Sequence, residues 1–165
     1  MATDCDPPPV PVNSLAPDNC KSYRGGMTDA QSYRLDDQIG YILRRVTQRH
    51  LAIFAAAIPE VTTTQFAVLA RLAEIGPQSQ NHLGRATAMD AATIKGVVDR
   101  LAKLGYVATR ADPADRRRLT VSLTEAGERL FAERAGTALA VSAETVAPLT
   151  EAEARELRSL LLRLA

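Results

Sequence analysis

This chain has no tryptophan, three phenylalanines and four tyrosines among 165 residues, so its core has to be assembled mainly from aliphatic side chains. Its net charge is only +1, which excludes a polycation that coats nucleic acid or membrane along its whole length. It has two cysteines, Cys5 and Cys20, both near the N-terminus and without metal-ligand spacing or a nucleophile's partner. They read as reduced surface thiols. With two histidines, no HExxH, no phosphate-cradling glycine loop and no nucleophile elbow, an enzyme is the least supported class, and neither a metal nor a cofactor is expected. No apolar run reaches the roughly 20 residues that a bilayer span needs. The start lacks the charged and apolar pattern of a signal peptide, so a cytoplasmic protein with no membrane partner is expected. No internal repeat is present.

What the chain does have is an uneven distribution of charge. Between Gly76 and Thr124 there are eight lysines and arginines against four aspartates, a net of +4. From Glu125 onward seven glutamates outweigh five arginines, a net of −2. A basic middle beside a slightly acidic end suits a nucleic-acid face on a neutral body.

Residues 1–28 are rich in Pro, Asp, Asn and Ser, and read as a disordered arm ahead of one domain over 29–165. Met27 follows Gly25-Gly26 and is a candidate natural start, which would make residues 1–26 an extension; the rival reading is an arm that embraces a partner subunit or DNA. A long helix is predicted over 35–57, with Ile39, Ile42, Leu43, Val46, Ile53 and Ala57 at helical spacing and Pro59 closing it. A second begins near Thr63 or Thr64 and carries Phe66, Leu69, Leu72 and Ile75 up to Gly76-Pro77. Ser79 caps a short helix over 80–87, which leaves His82 exposed. Asp90 caps a third long helix with the stripe Ile94, Val97, Val98, Leu101 and Leu104, ending on Gly105. Strands follow at 106–110 and 119–123. Thr124 opens a helix that continues past Leu139 towards Pro148. Thr150, with Glu153 completing a capping box, opens a last helix bearing Leu157, Leu160, Leu161 and Leu164.

The most telling stretch is the helix from Asp90 to Leu104 followed by a strand, a charged tip and a second strand. With Ile94, Val97, Val98 and Leu101 turned to the core, the opposite face carries Ala92, Gly96, Asp99 and Lys103, flanked by Thr93, Lys95 and Arg100. Small residues allow close approach to a groove floor, Lys95 can reach a base edge or a phosphate, and Thr93 can meet a thymine methyl or a phosphate. Arg116, Arg117 and Arg118 repel one another at a hairpin tip and gain little for folding, whereas phosphates or a narrow minor groove would neutralise them. Asp112 and Asp115 can hold the tip. The layout is that of a winged helix-turn-helix: mainly α, with a small β-hairpin wing.

The chain resembles the MarR family of transcriptional regulators. The residues that carry the likeness are Thr93-Ile-Lys-Gly-Val-Val-Asp-Arg-Leu101, Leu104-Gly-Tyr-Val107, Asp112-Pro-Ala-Asp-Arg-Arg-Arg118 and Val121-Ser-Leu-Thr-Glu-Ala-Gly127. The resemblance covers about residues 35–165. It implies that Arg117 enters the minor groove, that Asp115 braces it, and that Arg100 contacts DNA backbone or braces the wing. It also implies a homodimer in which helices over 35–58 and 125–165 interlock as a dimerisation lobe beside a DNA-binding lobe over 60–124. The apolar stripes on the first and last helices agree, being too much surface for one lobe to cover. A two-fold dimer implies a palindromic operator with half-sites about 34–36 Å apart.

Family resemblance further implies a repressor released by a small ligand, often an aromatic carboxylate or phenol, bound between the two lobes. His50 lies on the apolar stripe of the first helix, where a leucine fits better. It is either a satisfied structural histidine or a hydrogen-bond donor to an acidic ligand. Tyr41, Arg45, Arg49, Asn81 and Met89 are further candidates for the same cleft. The segments from Leu35 to His50 and from Thr87 to Ile94 are similar to regulators of nicotinic acid degradation, which implies nicotinate or 6-hydroxynicotinate as effector. Two other classes remain: a redox-sensing regulator using Cys20, and a winged-helix module that binds protein.

Overall fold

The computed structural model describes residues 33–111 and 119–165. The expected arm over 1–28 with Cys5, Cys20 and Met27, and the hairpin tip with Asp112, Asp115, Arg116, Arg117 and Arg118, lie outside the described residues. The chain divides into two units, Met1–Gln38 and Ile39–Ala165. In the first unit a 3-10 turn spans Leu35–Asp37. Gln38 ends it with an extended backbone, and its side chain donates to the Arg34 carbonyl at 3.0 Å. The predicted helix over 35–57 is therefore shorter: Asp36 and Asp37 favour turns over helix interiors, and the helix begins at Ile39.

In the second unit α1 (Ile39–Ala57) ends just before Ile58-Pro59, since the ring of a proline disfavours helix in the residue before it. Next come α2 (Thr63–Ile75), β1 (Gln78–Ser79), α3 (Gln80–Ala86), α4 (Ala91–Lys103), β2 (Val107–Ala111), β3 (Leu119–Leu123), α5 (Glu125–Thr145) and α6 (Glu151–Leu162). The cap of α2 is Thr62, not Thr63 or Thr64. Its hydroxyl accepts from the Gln65 amide at 3.3 Å while the Gln65 side chain accepts from the Thr62 amide at 2.8 Å. That reciprocal box needs Gln three residues after the cap, which selects Thr62. Ser79, Asp90, Thr124 and Thr150 cap their helices as expected.

The three strands form an antiparallel sheet in the order β1-β3-β2. Thr109 pairs with Val121 and Ala111 with Leu119, so β2 and β3 form the two arms of a hairpin. On the far side of β3, Gln78 pairs with Val121 and Ser79 with Thr120. The sequence predicts no such strand, because two residues are too few to show alternation.

One core joins these elements. Ile58, Val68, Leu69, Leu83, Ile94, Leu101 and Val121 are completely or almost completely buried at its centre. Leu104, predicted to share the α4 stripe, is exposed, because it caps the helix end. There the Tyr106 amide donates to Leu101 O and the Gly105 amide to Ala102 O, both at 3.0 Å, with Gly105 at φ +77°. This double closure requires a left-handed residue, which explains the glycine.

The chain then returns at close range. The Thr124 hydroxyl donates to Gly105 O at 2.6 Å and its amide to Tyr106 O at 3.1 Å. A Cβ on Gly127 would sit 2.1 Å from Tyr106 O, so only glycine lets α5 start against the end of α4. These contacts give the Leu-Thr-Glu-Ala-Gly segment a structural meaning: it anchors β3 and α5 to the end of α4.

α5 packs along α1 and α2, whereas α6 packs only sparsely on the rest of the chain. Arg134 of α5 pairs with Glu60 ahead of α2. The Glu60 carboxyl is held below its ordinary value first by its own backbone amide and then by Arg134. Ile39, Ile42, Leu43 and Val46 of α1 and Leu160, Leu161 and Leu162 of α6 are exposed. Among the described residues no helix is long and apolar enough to cross a membrane.

Candidate nucleic-acid interface and ligand cavity

α3 and α4 form the helix-turn-helix. Its turn, Thr87 to Asp90, is held by the Met89 amide donating to Gly84 O at 2.8 Å, and it places Ala88 at φ +53°. Asp90 then starts α4 firmly, one carboxylate oxygen accepting from the Thr93 amide at 2.7 Å and the other from the Thr93 hydroxyl at 3.0 Å. The hydroxyl proton of Thr93 is thus committed to the cap, which leaves its methyl group and the acceptor lone pairs of its oxygen for other contacts.

The outward face of α4 matches the helical-wheel reading. Ala92, Thr93, Lys95, Arg100 and Lys103 are exposed, and Gly96 is half-buried. Lys95 pairs with Asp99 one turn on, at 2.7 Å. Both side chains remain more than half exposed, so the pair is weak and Lys95 can exchange Asp99 for a phosphate at small cost. The Arg100 guanidinium lies back over Gly96, where a Cβ would stand 3.5 Å from Nη2. A row of cations along one helix face, above a backbone without bulk at 92 and 96, is a shape that enters a major groove. Arg110 is exposed on β2 opposite Thr120, at the base of the wing. The alternation of that strand already turns it outward. Asp115, Arg116, Arg117 and Arg118, expected to complete the interface, lie outside the described residues.

The second feature is a cavity of about 440 Å³ between α1, α2 and α5, walled by His50, Phe54, Phe66, Phe131, Leu139 and Ser142 among others. All three phenylalanines of the chain meet there. Phe54 and Phe66 are edge to face at 5.7 Å between ring centroids, and Phe66 and Phe131 are also 5.7 Å apart. Such walls suit a flat aromatic ring. Among the described residues lining the cavity, His50 has the only titratable side chain. Its Nδ1 lies 2.9 Å from Thr145 Oγ1.

The other residues expected in the cleft are elsewhere. Arg49 donates to the carbonyls of Glu144 and Thr145 at 3.3 Å, closing the C-terminal end of α5. Arg45 stacks over the Tyr41 ring at 5.9 Å. Arg45 and Arg49 line a separate shallow depression on α1. Asn81 is exposed on α3, and Met89 packs on the core from the helix-turn-helix turn. Sequence reasoning missed Phe54, Phe131 and Thr145, since nothing local announces that residues so far apart share a wall. A larger apolar groove of about 560 Å³ runs between the end of α5 and α6. Among the described residues no group of three or more His, Cys, Asp or Glu is placed to hold a metal.

A capped reading helix, a three-stranded sheet with a hairpin wing and a separate pair of long helices define a winged-helix protein of the regulatory class. Residues 60–118 match the MarR family model, and the chain belongs to the MarR family of transcriptional regulators, which are non-enzymatic DNA-binding proteins. The chain is similar to the HTH-type transcriptional repressor NicR of Pseudomonas putida, 45% identical over 105 residues. That match covers 62% of this chain and 66% of the repressor, just under two thirds of its length. A solved structure of a probable transcriptional regulator from Pseudomonas aeruginosa is 53% identical with a TM-score of 0.78, over 80% of this chain and 100% of the other. BpsR of Bordetella bronchiseptica, whose DNA binding is regulated by 6-hydroxynicotinic acid, is 39% identical with a TM-score of 0.76, over 80% of this chain and 96% of the other.

Proposed function

We propose that this protein is a homodimeric repressor that binds a palindromic operator and is released by a small aromatic carboxylate, nicotinate or 6-hydroxynicotinate. α4 would enter the major groove with Ala92 and Gly96 against its floor and Lys95, Arg100 and Lys103 towards edges and phosphates. Arg116, Arg117 and Arg118 would contact the backbone or minor groove, with Asp115 bracing Arg117. The observation that carries the DNA reading is the basic face of α4, which is exposed among the described residues. The uncovered apolar faces of α1 and α6 support the dimer, and the domain division that goes with it: 35–58 and 125–165 for dimerisation, 60–124 for reading. The likeness to NicR and BpsR supports the effector, and the phenylalanine-walled cavity at His50 is the place for it.

The experiment is fluorescence anisotropy with the DNA upstream of the protein's own gene, titrated with salt and then with nicotinate, 6-hydroxynicotinate and salicylate. Tight, salt-sensitive and sequence-selective binding, released by a pyridine acid, is the expected result. Binding released by no acid would keep the DNA reading and redirect the search for a signal to Cys20. The absence of binding would favour a protein-binding module. Arg117→Ala should weaken binding to every sequence and reduce the salt dependence by about one unit of slope. An unchanged slope would remove the wing from the interface.

A further inference from the structure

The hydrogen bonds around His50 restrict what it can offer a ligand, and the inference drawn from them rests on the effector reading above. Thr145 Oγ1 lies 2.8 Å from Val141 O and 2.9 Å from His50 Nδ1. Each contact needs a hydrogen between its heavy atoms, and the hydroxyl has only one. The carbonyl has none to give, so the hydroxyl donates to Val141. The contact with the ring is then satisfied only if Nδ1–H donates to Thr145 Oγ1. In the neutral ring Nε2 is therefore bare and acts as an acceptor, the wrong polarity for a carboxylate.

We propose that Thr145 is a positioning residue that sets the tautomer of His50, so that an aromatic acid enters the cavity only with uptake of one proton at the site. The proton comes from solvent to Nε2. It converts the ring to an imidazolium whose two N–H groups face Thr145 and the carboxylate. Entry of the neutral acid, with its own proton, gives the same complex.

Among the described residues, those lining the cavity supply no competing charge. Thr63, Phe66 and Ala67 are what α2 presents, and Phe131, Ala135, Ala138, Leu139 and Ser142 are what α5 presents, none of them titratable. On α1 the neighbouring Arg49 is held by the carbonyls of Glu144 and Thr145, outside the cavity wall. The Glu144 side chain is exposed. Among the described residues of one protomer, a carboxylate in this apolar space therefore meets a cation only if it makes one. Release of the operator would then respond to acid and pH together, and most strongly where both signal the same state.

The test is titration calorimetry of the full chain with nicotinate and 6-hydroxynicotinate at pH 8, in two buffers of different ionisation enthalpy. Uptake should approach one proton per site, with affinity falling about tenfold per pH unit on the alkaline side. His50→Gln, which can donate but does not titrate, should abolish the uptake. Thr145→Val frees the ring to carry its proton on Nε2, so the acid should bind with less uptake and a flatter pH profile. Acid binding by the unmodified chain without proton uptake, or uptake that survives in His50→Gln, would overturn the tautomer argument and leave the effector reading standing. If neither acid binds at any pH while DNA still does, the effector reading falls and this inference with it.

Discussion

α4 and α6 look alike as sequence and differ as structure. Each opens on a side-chain cap, Asp90 for one and Thr150 with Glu153 for the other, and each carries aliphatic residues at helical spacing. Yet Ile94, Val97, Val98 and Leu101 are buried, while Leu160, Leu161 and Leu162 are 45%, 41% and 67% exposed. Periodicity reveals that a helix has an apolar face but not what covers it. α2, α3 and β2 cover α4 from nearby in the chain, where each buried leucine contributes about 1.5–3 kcal/mol. Among the described residues no element packs on α6 to the same extent. The proposed second copy would complete that face and the α5–α6 groove with it.

The sharpest way to break the comparison is to trim the same residue type on each helix. Leu101→Ala should lower stability by about 2–5 kcal/mol in urea denaturation, at every protein concentration, because its cavity lies within one chain. Leu161→Ala should barely alter the protomer but weaken self-association, seen as a larger monomer fraction in sedimentation and a Tm that depends more steeply on concentration. Equal, concentration-independent losses would mean that α6 is covered from within.

The caps sharpen it further. The Asp90 carboxyl lies below its ordinary 3.8, first through the Thr93 amide and then through the Thr93 hydroxyl. The folded chain therefore holds this proton less readily than the unfolded one. The stabilisation is complete above the unfolded value and is lost as pH falls through the lower, folded value. Asn caps as well as Asp but does not titrate. Asp90→Asn should consequently cost some thermal stability at neutral pH, and the difference from the parent should shrink below about pH 4. A difference that persists in acid would assign the effect to geometry instead of charge.

Much of this was legible beforehand, for identifiable reasons. The caps at Ser79, Asp90, Thr124 and Thr150 involve residues only three apart, so local sequence holds the whole motif. Thr62 was equally local, and the Gln65 that completes its box was the signal to read. The buried stripe of α4 followed from its period. β1 did not, because its reason for being a strand is β3, more than forty residues away. The cavity was the least legible part. His50 stood out as a polar residue on an apolar stripe, but Thr145 lies 95 residues further on, and three phenylalanines on three helices meet only through packing. Arg49 shows the converse: a cation close to His50 in sequence serves the end of α5.

The smallest test concerns Ala88. It is the one non-glycine residue at positive φ among those described, +53°, in the turn that joins α3 to α4. A left-handed alanine costs about 1–2 kcal/mol because its Cβ crowds the following carbonyl. Ala88→Gly removes that cost but gives the unfolded chain more freedom, worth about 0.4–1 kcal/mol in the opposite direction. The net expectation is a gain of up to about 1.6 kcal/mol, a Tm rise of a few degrees, with operator affinity unchanged because Met89 still closes the turn on Gly84. If affinity falls while Tm rises, the strained alanine is what holds α3 and α4 at the angle the groove needs. The reading lobe would then be stiffened at its turn in a way that the α5–α6 connection, with no positive φ of its own, is not.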